Sequence, residues 1–202
     1  MCAIVAKVEQ DAAPGRTGAS ALAREEQARV IKWLRALYGY NRWATEQVLE
    51  AAARLTPDQW LAPGTAGRGS IRDTLVHLIS AQRSWLSWWN GSLSAEAAYR
   101  LTLNPADFPD LDSVREVWSS VARATQTFLD GLSEDDAERV YTHTLPNGLV
   151  FRQVLWQMLL HVANHGTQHR SEVAAMLTAC GQSPGDLDLL RFFLERGDRR
   201  AG

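Results

Sequence analysis

The sequence predicts an all-α fold: a four-helix bundle with a small hairpin or extended turn before the fourth long helix. Three observations carry this. Apolar residues recur at three- and four-residue steps through four long stretches. Turn-forming runs such as "APGTAGRGS" and "NPADFPDLDS" separate those stretches. Alternation of apolar and polar residues is confined to one short run, Tyr141, His143 and Leu145, ahead of Asn147-Gly148, a strong hairpin signal.

The elements follow in order. Residues 1–20 are small, polar and punctuated by Gly and Pro, and read as a flexible N-terminal arm; residues 21–202 form the bundle domain. The first helix spans about 21–54 through Val30, Trp33, Leu34, Leu37, Tyr40, Trp43, Ala44, Val48 and Leu49, with Gly39 as a possible bend. Thr56 and Pro57 cap and open a short helical turn. Ser70, with Asp73 three residues later, makes a capping box for a second helix over about 71–89. That helix carries Leu75, Leu78, Ile79, Gln82, Leu86 and Trp89 in its inward row and stops at Asn90-Gly91. A connection of about 20 residues follows, long enough to serve as a pocket rim. Asp112 or Ser113 caps the third helix, which runs through Val114, Val121, Phe128 and Leu132. The fourth helix runs from about 151 to 179 and ends before Gly181. Ser183-Pro184 opens a last short helix over about 185–196.

Composition narrows the function. With 46% hydrophobic and 22% charged residues, the 202-residue chain is globular and long enough to bury a real core. A net charge of −2 offers no basic field for nucleic acid or an anionic membrane; Arg196, Arg199 and Arg200 are the visible basic cluster. No stretch approaches the ~20 apolar residues of a membrane helix. Cys2 and Cys180 form no disulfide framework, and the N-terminus lacks signal-peptide features, so a cytoplasmic location is expected. The eight tryptophans, with Trp85, Trp88 and Trp89 clustered, read first as packing residues and second as a pocket wall.

Three of the five histidines fall in "HVANHGTQHR": His161, His165 and His169. Residues four apart share a helix face, with a rise of about 6 Å between them. Two such imidazoles can share one metal ion, whereas His161 and His169, about 12 Å apart, cannot. Spacing does not choose between 161/165 and 165/169. A third ligand must come from elsewhere, and His77, beside the inward row of the second helix, suits this better than His143 in the hairpin. The HExxH signature of a metalloprotease is absent, because residue 166 is Gly.

Together the stretches "YNRWATEQVLEAA", "GSIRDTLVHLISAQRSWL" and "HVANHGTQHRSEVAAMLTACGQSPGDLDLLRFF" resemble the three signature regions of the DinB (DinB/YfiT-like) family over most of residues 28–193. The resemblance implies a four-helix bundle with a divalent metal held by His77, His165 and His169. His161 then becomes a neighbour one turn away, supporting a ligand or packing. Many members carry Gln where this chain has Glu172 in "HRSE". Glu172 is thus open to several roles: orienting a ligand histidine, approaching the metal, serving as a catalytic base, or facing solvent.

Three neutral histidines leave coordination positions open for substrate, as in a catalytic metal site. The resemblance implies a metal-dependent enzyme, in first place a thiol-dependent S-transferase acting on a small molecule. A metal-dependent hydrolase, or a non-catalytic metal-binding stress protein, is the alternative. Zinc or nickel is the expected ion, with iron and manganese next. Tyr40, Trp43 and Trp85 are candidates for an apolar pocket. Arg42, Arg83 and Arg170 could meet a thiol's carboxylates but read first as surface residues. The resemblance also implies a homodimer, with Trp88, Leu189 and Phe192 in either the interface or the core.

Overall fold

A computed structural model describes residues 21–144 and 148–197, with the side chains of 21–29 outside that description. The expected arm, residues 1–20, and Asn147 of the expected hairpin turn therefore lie outside the described residues. In chain order the elements are α1 (Ala21–Ala52), α2 (Pro57–Leu61), α3 (Ile71–Trp89), α4 (Ala95–Arg100), a 3₁₀ turn (Pro105–Asp107), α5 (Leu111–Asp130), α6 (Glu134–Ala137), β1 (Val140–Thr144), β2 (Val150–Val154), α7 (Leu155–Ala179) and α8 (Leu189–Glu195). The four long helices α1, α3, α5 and α7 form the bundle. Among the described residues no helix is long and apolar enough to cross a membrane.

Local chemistry sets the boundaries. Thr56 and Ser70 both close capping boxes; Ser70 Oγ accepts from the Asp73 N–H at 3.1 Å, and Asp73 Oδ2 accepts from the Ser70 N–H at 3.2 Å. The third long helix begins earlier than expected: Asp110, not Asp112 or Ser113, is its cap, accepting from the Ser113 N–H at 2.9 Å. The fourth begins later, at Leu155 rather than 151. "VFRQV" instead pairs antiparallel with β1, Val140 opposite Val154 and Thr144 opposite Val150, and the Leu155 N–H goes to the Arg139 carbonyl at 3.0 Å. The last helix begins at Leu189 under an Asp188 cap, because Gly185 at φ +81° cannot continue from Pro184 into a helix. Helix α1 runs through Gly39 and ends at Ala52.

Helices α1 and α3 each pack against both α5 and α7, so α1 and α3, successive among the long helices, sit on a diagonal. Two core clusters fix the directions. One joins Val48 and Leu49 of α1, Leu75 and Ile79 of α3, Val114 and Val121 of α5, and Val173 and Leu177 of α7. The other joins Ile31 and Leu34 of α1, Trp89 of α3, Leu129 of α5, and Leu155 and Leu159 of α7. Helices α1 and α7 thus run parallel, and α3 and α5 run parallel in the opposite sense. The end of α3 and the start of α5 lie at opposite ends of the bundle. The long connection between them is therefore a crossover, carrying α4 and the 3₁₀ turn back along α3; the Ser80 hydroxyl accepts from the Leu103 N–H at 2.9 Å on the way.

Between the two apolar clusters lies a buried polar layer. The Arg170 guanidinium donates to Asn41 Oδ1; Asn41 Nδ2 donates to Gln82 Oε1 at 3.0 Å, and Gln82 Nε2 to Thr125 Oγ1 at 3.0 Å. Thr125 passes its hydroxyl hydrogen to the Val121 carbonyl at 2.8 Å. One directed hydrogen-bond chain therefore links α7, α1, α3 and α5. Arg170 is a correction to the sequence reading: it is 2% exposed, not a surface residue. Burial lowers its pKa to about 10, so it stays charged at neutral pH, with the Tyr40 ring centroid 5.5 Å away.

Candidate metal centre

Helices α3 and α7 bring His77 against His165 and His169. Ring centroids lie 5.2 Å apart for 77/165, 4.7 Å for 77/169 and 4.4 Å for 165/169. Each ring offers one nitrogen, and the three nitrogens lie within 4.8 Å of one another. Three imidazoles converging from two rigid helices fit a divalent ion, which takes neutral histidine nitrogens at about 2.0–2.1 Å when it is zinc. His161 is exposed and turned aside, its ring 6.2 Å from that of His165 and edge-on to Trp85 at 5.6 Å. His143 stacks on Phe151 at 5.3 Å.

Glu172 reaches the triad through one ligand candidate. His169 Nδ1–H donates to Glu172 Oε2 at 2.6 Å, which leaves the lone pair of Nε2 free to ligate. Burial works against the Glu172 charge, but hydrogen bonds from His169 and Gln168 outweigh it and hold its pKa below the ordinary range.

The other two imidazoles are held neutral. The pKa of His77 is lowered to about 4, first by burial, with Arg68 and His169 acting in the same direction. That of His165 is also lowered to about 4, by burial and then by neighbouring histidines and Arg68. An unfolded histidine titrates near 6.5. Below that pH the unfolded chain takes up protons that the metal-free fold refuses until about pH 4, so stability falls across this window. Both rings are partly solvated, which reduces the effect. The urea midpoint of metal-free protein is expected to fall between pH 7 and 4.5, and less steeply in the His77→Gln/His165→Gln double variant. Equal slopes for the two proteins would exclude the neutral pair.

The aromatic candidates separate. Tyr40 donates to the Leu187 carbonyl at 2.8 Å, and with Trp43 it packs on Phe192 at 6.0 and 5.7 Å, beside α8. Phe192 is buried within the chain, whereas Leu189 is exposed. Trp85 stands next to His161, and Trp88 packs edge-on against Tyr141 and His143. Arg42 is exposed beside Glu46 at 3.8 Å, and Arg83 is half-buried on α3. The open space next to the triad is polar: a cleft of about 480 Å³ runs from His77 to the crossover, lined by Arg68, Arg72, Asp73, Ser80 and Asn104. Sequence reasoning missed Arg68, whose signal was its place in a Gly-rich loop just before the α3 cap.

The DinB family model matches residues 26–198. Protein DinB of Bacillus subtilis (strain 168) is 23% identical over 159 residues, 77% of this chain and 92% of that protein. Among solved structures, YfiT from Bacillus subtilis, described as a probable metal-dependent hydrolase with an unusual four-helix bundle topology, superposes with a TM-score of 0.55 at 15% identity, covering 85% of this chain and 95% of that one. A DinB family member protein from Shewanella denitrificans gives 0.54 at 14% identity, covering 82% and 94%. These likenesses agree with the diagonal bundle described above.

Proposed function

Because this chain belongs to the DinB family, we propose that it is a metal-dependent enzyme in which His77, His165 and His169 hold a divalent ion and a low-molecular-weight thiol is the nucleophile. The carrying observation is the convergence of three imidazole nitrogens from α3 and α7, one of them fixed by Glu172. A bound divalent ion supplies Lewis acidity, lowering the pKa of a coordinated thiol or water. The chain's own residues prepare the site. Glu172 holds the Nδ1 proton of His169, fixing the ring's orientation. His77 and His165 keep their lone pairs free at neutral pH. A thiol is favoured over water because the nearby carboxylates are engaged, Glu172 with His169 and Gln168, and Asp73 with Ser70 and Arg72. A free thiol already titrates near 8.5 and needs no separate base once coordinated.

The second reading, a metal-dependent hydrolase, draws on the description of YfiT. Cobalt-substituted protein separates the two. A sulfur-to-cobalt absorption band on adding a thiol, with thiol-dependent consumption of an electrophile, supports the transferase. No band, together with thiol-independent cleavage of ester or amide substrates, supports the hydrolase.

Glu172→Gln tests the orienting role. Metal affinity, read by chelator competition, is expected to fall about 10–100-fold. Unchanged affinity with lost turnover would instead make Glu172 a catalytic base.

A further inference from the structure

Arg68 stands on the rim of the cleft beside His77, and its charge acts on both His77 and His165. Its guanidinium makes no hydrogen bond or ion pair among the described residues, whereas neighbouring Arg72 is tied to Asp73 at 3.0 Å. The loop that presents it is tightly built. The Gly64 N–H bonds the Gly69 carbonyl at 2.8 Å, and the Arg68 N–H bonds Thr74 Oγ1 at 2.9 Å. Thr74 is itself fully buried. Gly67 and Gly69 hold φ of +73° and +121°, and a Cβ at Gly67 would lie 2.5 Å from Thr74 Oγ1.

An uncommitted cation on the rim of a cleft that opens on His77 works against metal binding, because like charges repel. The arrangement is balanced when an anion lies between the guanidinium and the ion. We infer that Arg68 is a substrate-recognition residue: the small molecule that enters this cleft carries an oxyanion, a carboxylate or a phosphate, which the Arg68 fork receives. Ser80, Thr102 and Asn104, from α3 and the crossover, line the same cleft and suit a polar ligand.

The inference rests on the metal site proposed above, and its test separates the two. Metal-loaded wild type and Arg68→Gln are titrated calorimetrically with 3-mercaptopropionate and its uncharged amide. The wild type is expected to bind the acid about 10-fold more tightly, the lower range for a charge-assisted contact at an exposed arginine. Arg68→Gln removes that preference and leaves the amide's affinity unchanged, while Arg68→Lys retains part of it. Equal affinities in the wild type, or a preference that survives in Arg68→Gln, would overturn the inference. Should neither thiol give a sulfur-to-cobalt band, the thiol reading fails, and butyrate against butyramide carries the same comparison for Arg68. Competition by methyl phosphate and by acetate then tells which oxyanion the fork prefers. Failure of the wild type to retain metal would overturn the metal reading and the inference with it.

Discussion

Replacing His165 by alanine is expected to weaken metal binding by more than about 100-fold. Removing a partner that only orients a ligand already costs up to about that much, and His165 would be a ligand itself. Its nitrogen is one of the three that lie within 4.8 Å of one another, and the other two come from rings packed against it. His161→Ala is the matched control. It removes an imidazole one helical turn away, on the same helix, but one that packs on Trp85 and lies outside the triad. Metal content by mass spectrometry and chelator competition should therefore separate His165, common to both four-residue pairs, from His161, which the sequence alone leaves interchangeable with His169. Retention of metal by His165→Ala, or equal loss in His161→Ala, would show that another set of groups holds the ion.

That contrast marks where the sequence stops. Four-residue spacing shows which histidines share a face, and it is the same for 161/165 and 165/169. The choice depends on where α3 lies against α7, a tertiary fact. Capping chemistry is local, so Ser70 and Asp73 announce the start of α3 without ambiguity. The local pattern points to Asp112 or Ser113 as the next cap, and the fold instead uses Asp110, which lies just upstream. The α7 boundary lies later than expected because Phe151 and Val154 extend the apolar row of Leu155 and Met158 at helical spacing, while the β-favouring Val150–Val154 pairs with β1. The diagonal placement of α1 and α3 was invisible because a periodic apolar face does not name its partner. The length of the 90–110 connection was the available signal, since a crossover along the bundle needs more chain than a turn.

Arg170 shows a different limit. An arginine reads as a surface residue by default, because burying a guanidinium is costly without partners. The signals for the opposite were Gln82, a polar side chain in the inward row of α3, and Gly166, one turn before Arg170 on the same face of α7. Both are understandable only together with Asn41, which lies far away in sequence and joins them in space.

Gly166→Ala tests that layer directly and is expected to destabilise the protein by roughly 2–3 kcal/mol. On a helix interior, alanine is normally better than glycine by up to about 1 kcal/mol. Here the added Cβ would lie 2.7 Å from Asn41 Oδ1 and 2.8 Å from Arg170 Nη1, closer than any Cβ tolerates. Overpacking costs about 1–3 kcal/mol, and separating Arg170 from Asn41 leaves buried polar groups unpaired at about 1–3 kcal/mol more. The penalties outweigh the propensity gain, so the melting temperature should drop by about 5–10 °C for a chain of this size. A double-mutant cycle assigns the cause. In an Arg170→Met background the guanidinium is gone, and a flexible apolar side chain can move away from the new methyl group. The Gly166→Ala penalty should then shrink by at least about 1 kcal/mol, a coupling expected of residues in direct contact. An unchanged penalty would place the cost at the Asn41 contact and not at Arg170. A stabilising Gly166→Ala would show that the helix has room at this turn and that Arg170 does not need the gap. Arg170 directly follows His169 on α7, so chelator competition on the same variants shows whether this buried layer also holds the metal triad in register.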